Sequence, residues 1–168
     1  ITTSRVSATM LRATNTLTQR TPGPRCAAEV TIDASGLMEG DIAGLCAFQG
    51  CYAYAAIPRR QGSWDAIMAE RNALHPDEIP VEVESLPLPS PQVTFRLEID
   101  YTDMRDTARF LVLTDAGWIP IGHPHRLWFK LDLFTGCRFA LFTQATQHVG
   151  GHADFMRFRY HDASDMVA

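Results

Sequence analysis

Val93-Thr-Phe-Arg-Leu-Glu-Ile-Asp-Tyr101 alternates apolar and polar residues without a break. On an extended chain, Val93, Phe95, Leu97, Ile99 and Tyr101 share one face, and Thr94, Arg96, Glu98 and Asp100 share the other. A helix would bring apolar residues back every three or four positions, so a period of two argues for a strand. Such a strand rests one face on a core and turns the other to water. The same period recurs on both sides of it. Ala28, Val30 and Ile32 alternate with Glu29, Thr31 and Asp33. Residues 107–113 and 126–131 are further strand candidates, rich in aromatic and branched side chains. Residues 136–143 are more apolar on both faces, as expected of a central strand covered twice.

Turn chemistry separates these runs. Asp33-Ala-Ser-Gly36 and Met38-Glu-Gly-Asp41 mark one break, and Asp115-Ala-Gly117 another. Gln49-Gly50 divides residues 42–48 from 51–57 as a tight hairpin would. Pro87, Pro89 and Pro91 end a run abruptly and read as an extended loop. Only residues 64–74 could be helical, and they read equally well as a strand plus turn. About a dozen short strands at ~8–12-residue spacing predict an all-β fold, a two-sheet antiparallel sandwich or jelly roll.

The chain has 168 residues, the length of one domain, with 46% hydrophobic and 20% charged residues. A net charge of −4 gives no attraction to phosphate backbones or anionic membranes, so neither nucleic acid nor membrane is an expected partner. No apolar run reaches the ~20 residues that span a bilayer. The first residue is Ile1, so either a start segment was removed or this is a piece of a longer polypeptide. Residues 1–25 are expected to pack on the single domain of residues 1–168 or to lead from a further, absent domain. Four cysteines, Cys26, Cys46, Cys51 and Cys137, read as free thiols, because a core of this size needs no disulfide staples. That reading favours a cytoplasmic location. Cys46 and Cys51 are spaced too widely for the usual zinc knuckle and lack a downstream pair.

Few residues stand out as carriers of chemistry. Glu98, Asp100 and Asp103 form a carboxylate cluster of the kind jelly-roll glycanases use, although alternation alone explains it. His123 and His125 bracket Pro124 in an expected turn, and His148 and His152 flank Gly150-Gly151; all four read as surface-loop histidines. Trp64, Trp118 and Trp128 are candidates for stacking on sugar rings, or for the core. Asp154, at the start of the last expected strand, is a candidate Ca²⁺ ligand together with Glu29 or Asp41, or else a strand-end hydrogen-bonding group. No cofactor is required by any motif. Arg20 fits an interdomain salt bridge or an internal carboxylate partner equally well.

Four segments together resemble one known module. They are Leu17-Thr-Gln-Arg-Thr-Pro-Gly-Pro24, Ala43-Gly-Leu-Cys-Ala-Phe-Gln-Gly50, Gly136-Cys-Arg-Phe-Ala-Leu-Phe142 and Gly150-Gly-His-Ala-Asp-Phe-Met-Arg-Phe-Arg-Tyr160. Their order and spacing are similar to the concanavalin A-like C-terminal β-sandwich of glycoside hydrolase family 43 β-xylosidases and arabinofuranosidases. The resemblance implies an accessory domain whose partner is a catalytic β-propeller of the same polypeptide, acting on xylo- or arabino-oligosaccharides. The family's base, acid and pKa-tuning carboxylate belong to that propeller, so this chain alone is expected to be inactive. The match Phe134-Thr135-Gly136 implies that Phe134 reaches across the domain interface and helps to close the sugar pocket, the alternative being that it packs at a strand start; one branch of the family has a second aromatic where this chain has Leu133. Two other readings stand beside this one: an independent carbohydrate-binding module, and a stand-alone jelly-roll glycanase using Glu98, Asp100 and Asp103.

Overall fold

The alternating stretch becomes a strand that runs through the middle of a sheet. In the computed structural model, which describes residues 1–72, 79–128 and 136–165, the strands in chain order are β1 (Leu17–Arg20), β2 (Arg25–Asp33), β3 (Asp41–Phe48), β4 (Tyr52–Arg60), β5 (Ser63–Arg71), β6 (Val81–Pro87), β7 (Gln92–Asp100), β8 (Thr107–Thr114), β9 (Gly117–Arg126), β10 (Arg138–Ala145) and β11 (Asp154–His161). One sheet has the order β1-β10-β3-β4-β5-β6 and the other β11-β2-β7-β8-β9. Every strand pairing within them is antiparallel.

The two sheets meet through their inward faces. Val93, Phe95, Leu97 and Ile99 of β7 are all buried, as their spacing predicts. They join Val30 and Ile32 of β2 and Phe110 and Val112 of β8 in one core. The six-stranded sheet meets these large side chains with small ones, Ala43, Ala47, Ala53, Ala55 and Ala66, plus Leu45, Met68 and Phe139. Large facing small lets the two layers interdigitate at crystal-like density.

The six-stranded sheet is also covered on its outer face. Cys46, Tyr52, Tyr54, Ile67, Ala140 and Phe142 form a second cluster there, beneath Met10 of the N-terminal segment. That segment is tied down: Ser7 N donates to Ala145 O at 2.9 Å and Gln144 Nε2 to Ser7 O at 2.8 Å. Double coverage explains why β10 reads as apolar on both faces.

Of the two readings left open for residues 64–74, the described ones take the strand: they contain most of β5. Two sequence expectations need correction. Of residues 126–131, Arg126 is the last residue of β9, Leu127 and Trp128 follow outside any strand, and 129–131 lie outside the described residues. His123-Pro-His125 is not a turn but the end of β9, and His125 is buried. β9 accommodates Pro120 and Pro124 because it is an edge strand, where a missing N–H costs no ladder bond on the solvent side. A register shift between Ala108 and Phe110 then turns His125 inward. Gly122 lies within that irregular stretch at φ 71°, and a Cβ there would come within 2.7 Å of the Met68 side chain, so only glycine fits.

Candidate functional site

One end of the sandwich gathers the loops that follow β3, β7 and β9, together with the entry into β10. Leu127 and Trp128 cross this end. Leu127 N donates to Asp106 O at 2.7 Å, and Trp128 N donates to Gln49 Oε1 at 3.0 Å. Two recesses open beside this crossing, one on the outer face of each sheet.

The larger recess, about 690 Å³, lies on the five-stranded sheet and is lined by Arg25, Glu98, Asp100, Arg105, Arg109, Pro120, His123 and Pro124 among others. Strand alternation puts Glu98 and Asp100 on the outward face of β7, with Arg109 opposite Glu98 and Thr107 opposite Asp100 on β8. The carboxylates on this face are paired. Arg96 binds Glu29 at 2.6 Å and Glu98 at 2.8 Å, and Arg25 binds Asp100 at 3.2 Å. Burial pushes the Asp100 carboxyl up, but hydrogen bonds from Thr102 and the Arg25 guanidinium outweigh it and hold the carboxyl below its ordinary range. A glycosidase acid needs the opposite, a carboxyl kept protonated near neutrality. Asp103 does not line the recess; it sits in the short turn after β7. The carboxylate trio is therefore not assembled as a catalytic set.

The smaller recess, about 340 Å³, lies on the six-stranded sheet and is lined by Leu11, Thr18, Phe48, Gln49, Gly50, Gly136 and Arg138. It is mostly apolar and directly adjoins Gly136, the residue after Phe134-Thr135. Phe134 itself lies outside the described residues. Arg20 is exposed on β1 in register with Arg138, and it makes no ion pair among the described residues.

A polar pair, buried His125 and partly buried Glu70, supports this end from inside. His125 Nδ1 lies 2.9 Å from Glu70 Oε2, and Asn72 Nδ2 donates to Glu70 Oε1 at 2.7 Å. Burial pushes the His125 pKa down, against the pull of the Glu70 carboxylate. Burial pushes Glu70 up, but the hydrogen bonds from His125 and Asn72 prevail and leave it below its usual value. The alternation signal could not reveal this pair, because it depends on the irregular register of β9.

The tryptophans are spread out rather than aligned. Trp64 is half-buried in β5 with the Arg59 guanidinium 4.4 Å from its ring centroid. Trp118 is half-buried on the outward face of β9, opposite Leu113. Trp128 is exposed. Asp154 is exposed and lies in register with Asp33. Of the partners expected for it, Glu29 is bound by Arg96 and His161, and buried Asp41 accepts Met38 N at 2.9 Å. Among the described residues no three His, Cys, Asp or Glu side chains form a group that could hold a metal ion. All four cysteines are free and buried. His148 and His152 are exposed, as expected.

Two antiparallel sheets in this order, with recessed outer faces, define a concanavalin A-like sandwich. Residues 1–161 match the family described as the beta xylosidase C-terminal concanavalin A-like domain, and the chain belongs to that family. It is the C-terminal domain of family 43 glycoside hydrolases, whose catalytic domain is a separate part of the polypeptide. Among solved structures, the chain is similar to a bifunctional GH43-CE protein of Bacteroides eggerthii, with TM-score 0.88 and 38% identity, covering 96% of this chain and 20% of that one. It is also similar in fold to a family 43 enzyme engineered to display both endo-xylanase and exo-arabinofuranosidase activity (TM-score 0.87, 23% identity, 96% of this chain and 34% of that one). A third fold relative is the xylan beta-1,4-xylosidase of Bacillus halodurans C-125 (TM-score 0.73, 17% identity, 95% and 32%). The chain thus spans a fifth to a third of these proteins' lengths. No curated protein matches it by sequence.

Proposed function

We propose that this domain stabilises the catalytic β-propeller of a xylosidase- or arabinofuranosidase-type glycosidase and helps to close its sugar pocket through Phe134. The observation that carries the reading is the apolar recess of Leu11, Phe48 and Gly136 beside the residues that lead from Phe134. An apolar recess flanked by Arg20 and Arg138 suits contact with another domain; such contacts typically cover ~600–1,500 Å². The chemistry of closure is water exclusion: an apolar lid strengthens the carboxylate electrostatics beneath it. Xylo- or arabino-oligosaccharides are the substrates this reading implies.

The test uses the polypeptide that carries both domains. Phe134→Ala should lower kcat/KM by about tenfold, ~1.4 kcal/mol, with the melting temperature nearly unchanged. A large fall in melting temperature with unchanged kinetics would make Phe134 a packing residue and remove its role at the pocket. The chain alone should not hydrolyse aryl xylosides or arabinofuranosides. Turnover by the isolated chain that disappears in Glu98→Gln would reinstate the stand-alone glycanase.

A further inference from the structure

The recess on the five-stranded sheet runs against the charge of the whole chain. The net charge is −4, yet this recess brings Arg25, Arg105 and Arg109 against only two carboxylates, Glu98 and Asp100. Both carboxylates already have cationic partners. Asp100 binds Arg25, and Glu98 accepts from Arg96 Nε at 2.8 Å. Arg105 and Arg109 make no ion pair among the described residues, and both are exposed to the recess side of the sheet.

Arg105 is held in place by a strained turn. Asp103, Met104 and Asp106 adopt φ of 52°, 54° and 46°, a region that side chains with a Cβ disfavour. Three of the four such non-glycine residues among those described fall in this one turn. It is pinned on both sides, by Arg105 N to Thr102 O at 3.0 Å and by Leu127 N to Asp106 O at 2.7 Å. Strain of this kind persists only where the surroundings over-determine it, and it concentrates at ligand sites.

Arg105 and Arg109 offer planar donor forks, the geometry that recognises a carboxylate. Beside them, Pro120 and Pro124 are exposed apolar surfaces of the same recess. Such surfaces pack against the C–H face of a pyranose ring. Glu98 and Asp100 are placed to accept hydroxyl hydrogens, and their charge disfavours a dianion. A volume of about 690 Å³ falls within the usual range of small-molecule sites.

We infer that this recess binds the uronic acid unit of an acidic oligosaccharide, with Arg105 and Arg109 on its carboxylate and Pro120 and Pro124 beside its ring. The choice of a saccharide rests on the glycosidase reading; the choice of an acidic one rests on the two arginines. Because Leu127 joins this recess to the end where Gly136 lies, an acidic branch held here would orient a xylan chain toward the proposed domain interface.

Calorimetric titration of the isolated chain tests this with three probes: xylotetraose, xylotetraose carrying a glucuronic acid branch, and inorganic phosphate. The branched probe should bind at least about tenfold more tightly than the neutral one, the scale of one charge-assisted contact. Arg105→Gln and Arg109→Gln should each remove several-fold of that preference, and the double variant nearly all of it. Arg109→Lys should recover only part, since the fork is lost. Raising salt from about 0.05 to about 0.5 M should erode the preference, because screening shortens with ionic strength. Both side chains are exposed, so melting temperatures should match the parent chain. Equal binding of neutral and acidic probes, phosphate binding as tight as the branched sugar, or a preference that survives the double variant would each overturn the site. Those outcomes leave the accessory reading standing; hydrolysis by the isolated chain would sink that reading instead.

Discussion

Phe95→Ala and Thr94→Ala, made side by side, test the register on which the whole sandwich depends. Phe95 is fully buried at the centre of β7, paired with Val30 on one side and Val112 on the other. The core it shares with the six-stranded sheet includes Ala43, Ala47, Ala53, Ala55 and Ala66, which have no flexible length with which to fill a void. A Phe→Ala change in such a place costs ~3–5 kcal/mol through lost transfer energy and the cavity left behind. At roughly 2–4 °C per kcal/mol for a chain of this size, the melting temperature should fall by about 6–20 °C. Thr94 is one residue away but faces outward, where its hydroxyl meets that of Thr31 at 2.9 Å. Its loss removes one partly solvated hydrogen bond, ~0.5–1.5 kcal/mol at most. Differential scanning calorimetry or urea titration at a single pH measures both. A larger drop for Thr94→Ala than for Phe95→Ala would mean that β7 is slipped by one residue and that its inner and outer faces are exchanged.

Three further outcomes follow from buried groups. Gly151→Ala should destabilise markedly, since a Cβ there would lie within 1.8 Å of Asp41 Oδ2 and 2.9 Å of Met38 N; a melting temperature equal to the parent's would refute that packing. Stability should fall in acid in two stages. Burial lowers the His125 pKa from 6.5, so the folded state binds fewer protons than the unfolded one, and its contribution is complete above about pH 6.5 and lost as pH falls below that. Glu70, also lowered, adds a second loss below about pH 4.5; His125→Gln should remove the first stage from a plot of unfolding free energy against pH and shrink the second, because His125 supplies part of what holds Glu70 down. The thiols should be inert while folded: burial pushes Cys26 and Cys137 up to about 12 and Cys46 well above its usual value, so a thiol reagent at pH 8 should react only on unfolding.

The strands declared themselves wherever one face is dry and the other wet. β2, β7 and β8 alternate because the sheet they share has a single core face, and period two then follows from the pleat. β10 announced its double coverage for the same reason, although nothing local showed that Met10, from the far end of the chain, lies over its sheet. The histidines of β9 were misread because two prolines mimic turn chemistry, and only the strand's place at the sheet edge makes them tolerable. The pairing of His125 with Glu70 across 55 residues likewise depends on a register shift that no local pattern encodes. The family resemblance was legible because short turn and strand segments survive in order along the chain. The charged recess was not, since Arg25, Asp100, Arg105 and Arg109 become neighbours only when β2, β7 and β8 lie side by side. The sequence by itself thus determined which face of each regular strand is buried, because solvation acts residue by residue. Only the tertiary structure decided which outward-facing charges find partners and which are left for a ligand, because that depends on distances between strands remote in sequence.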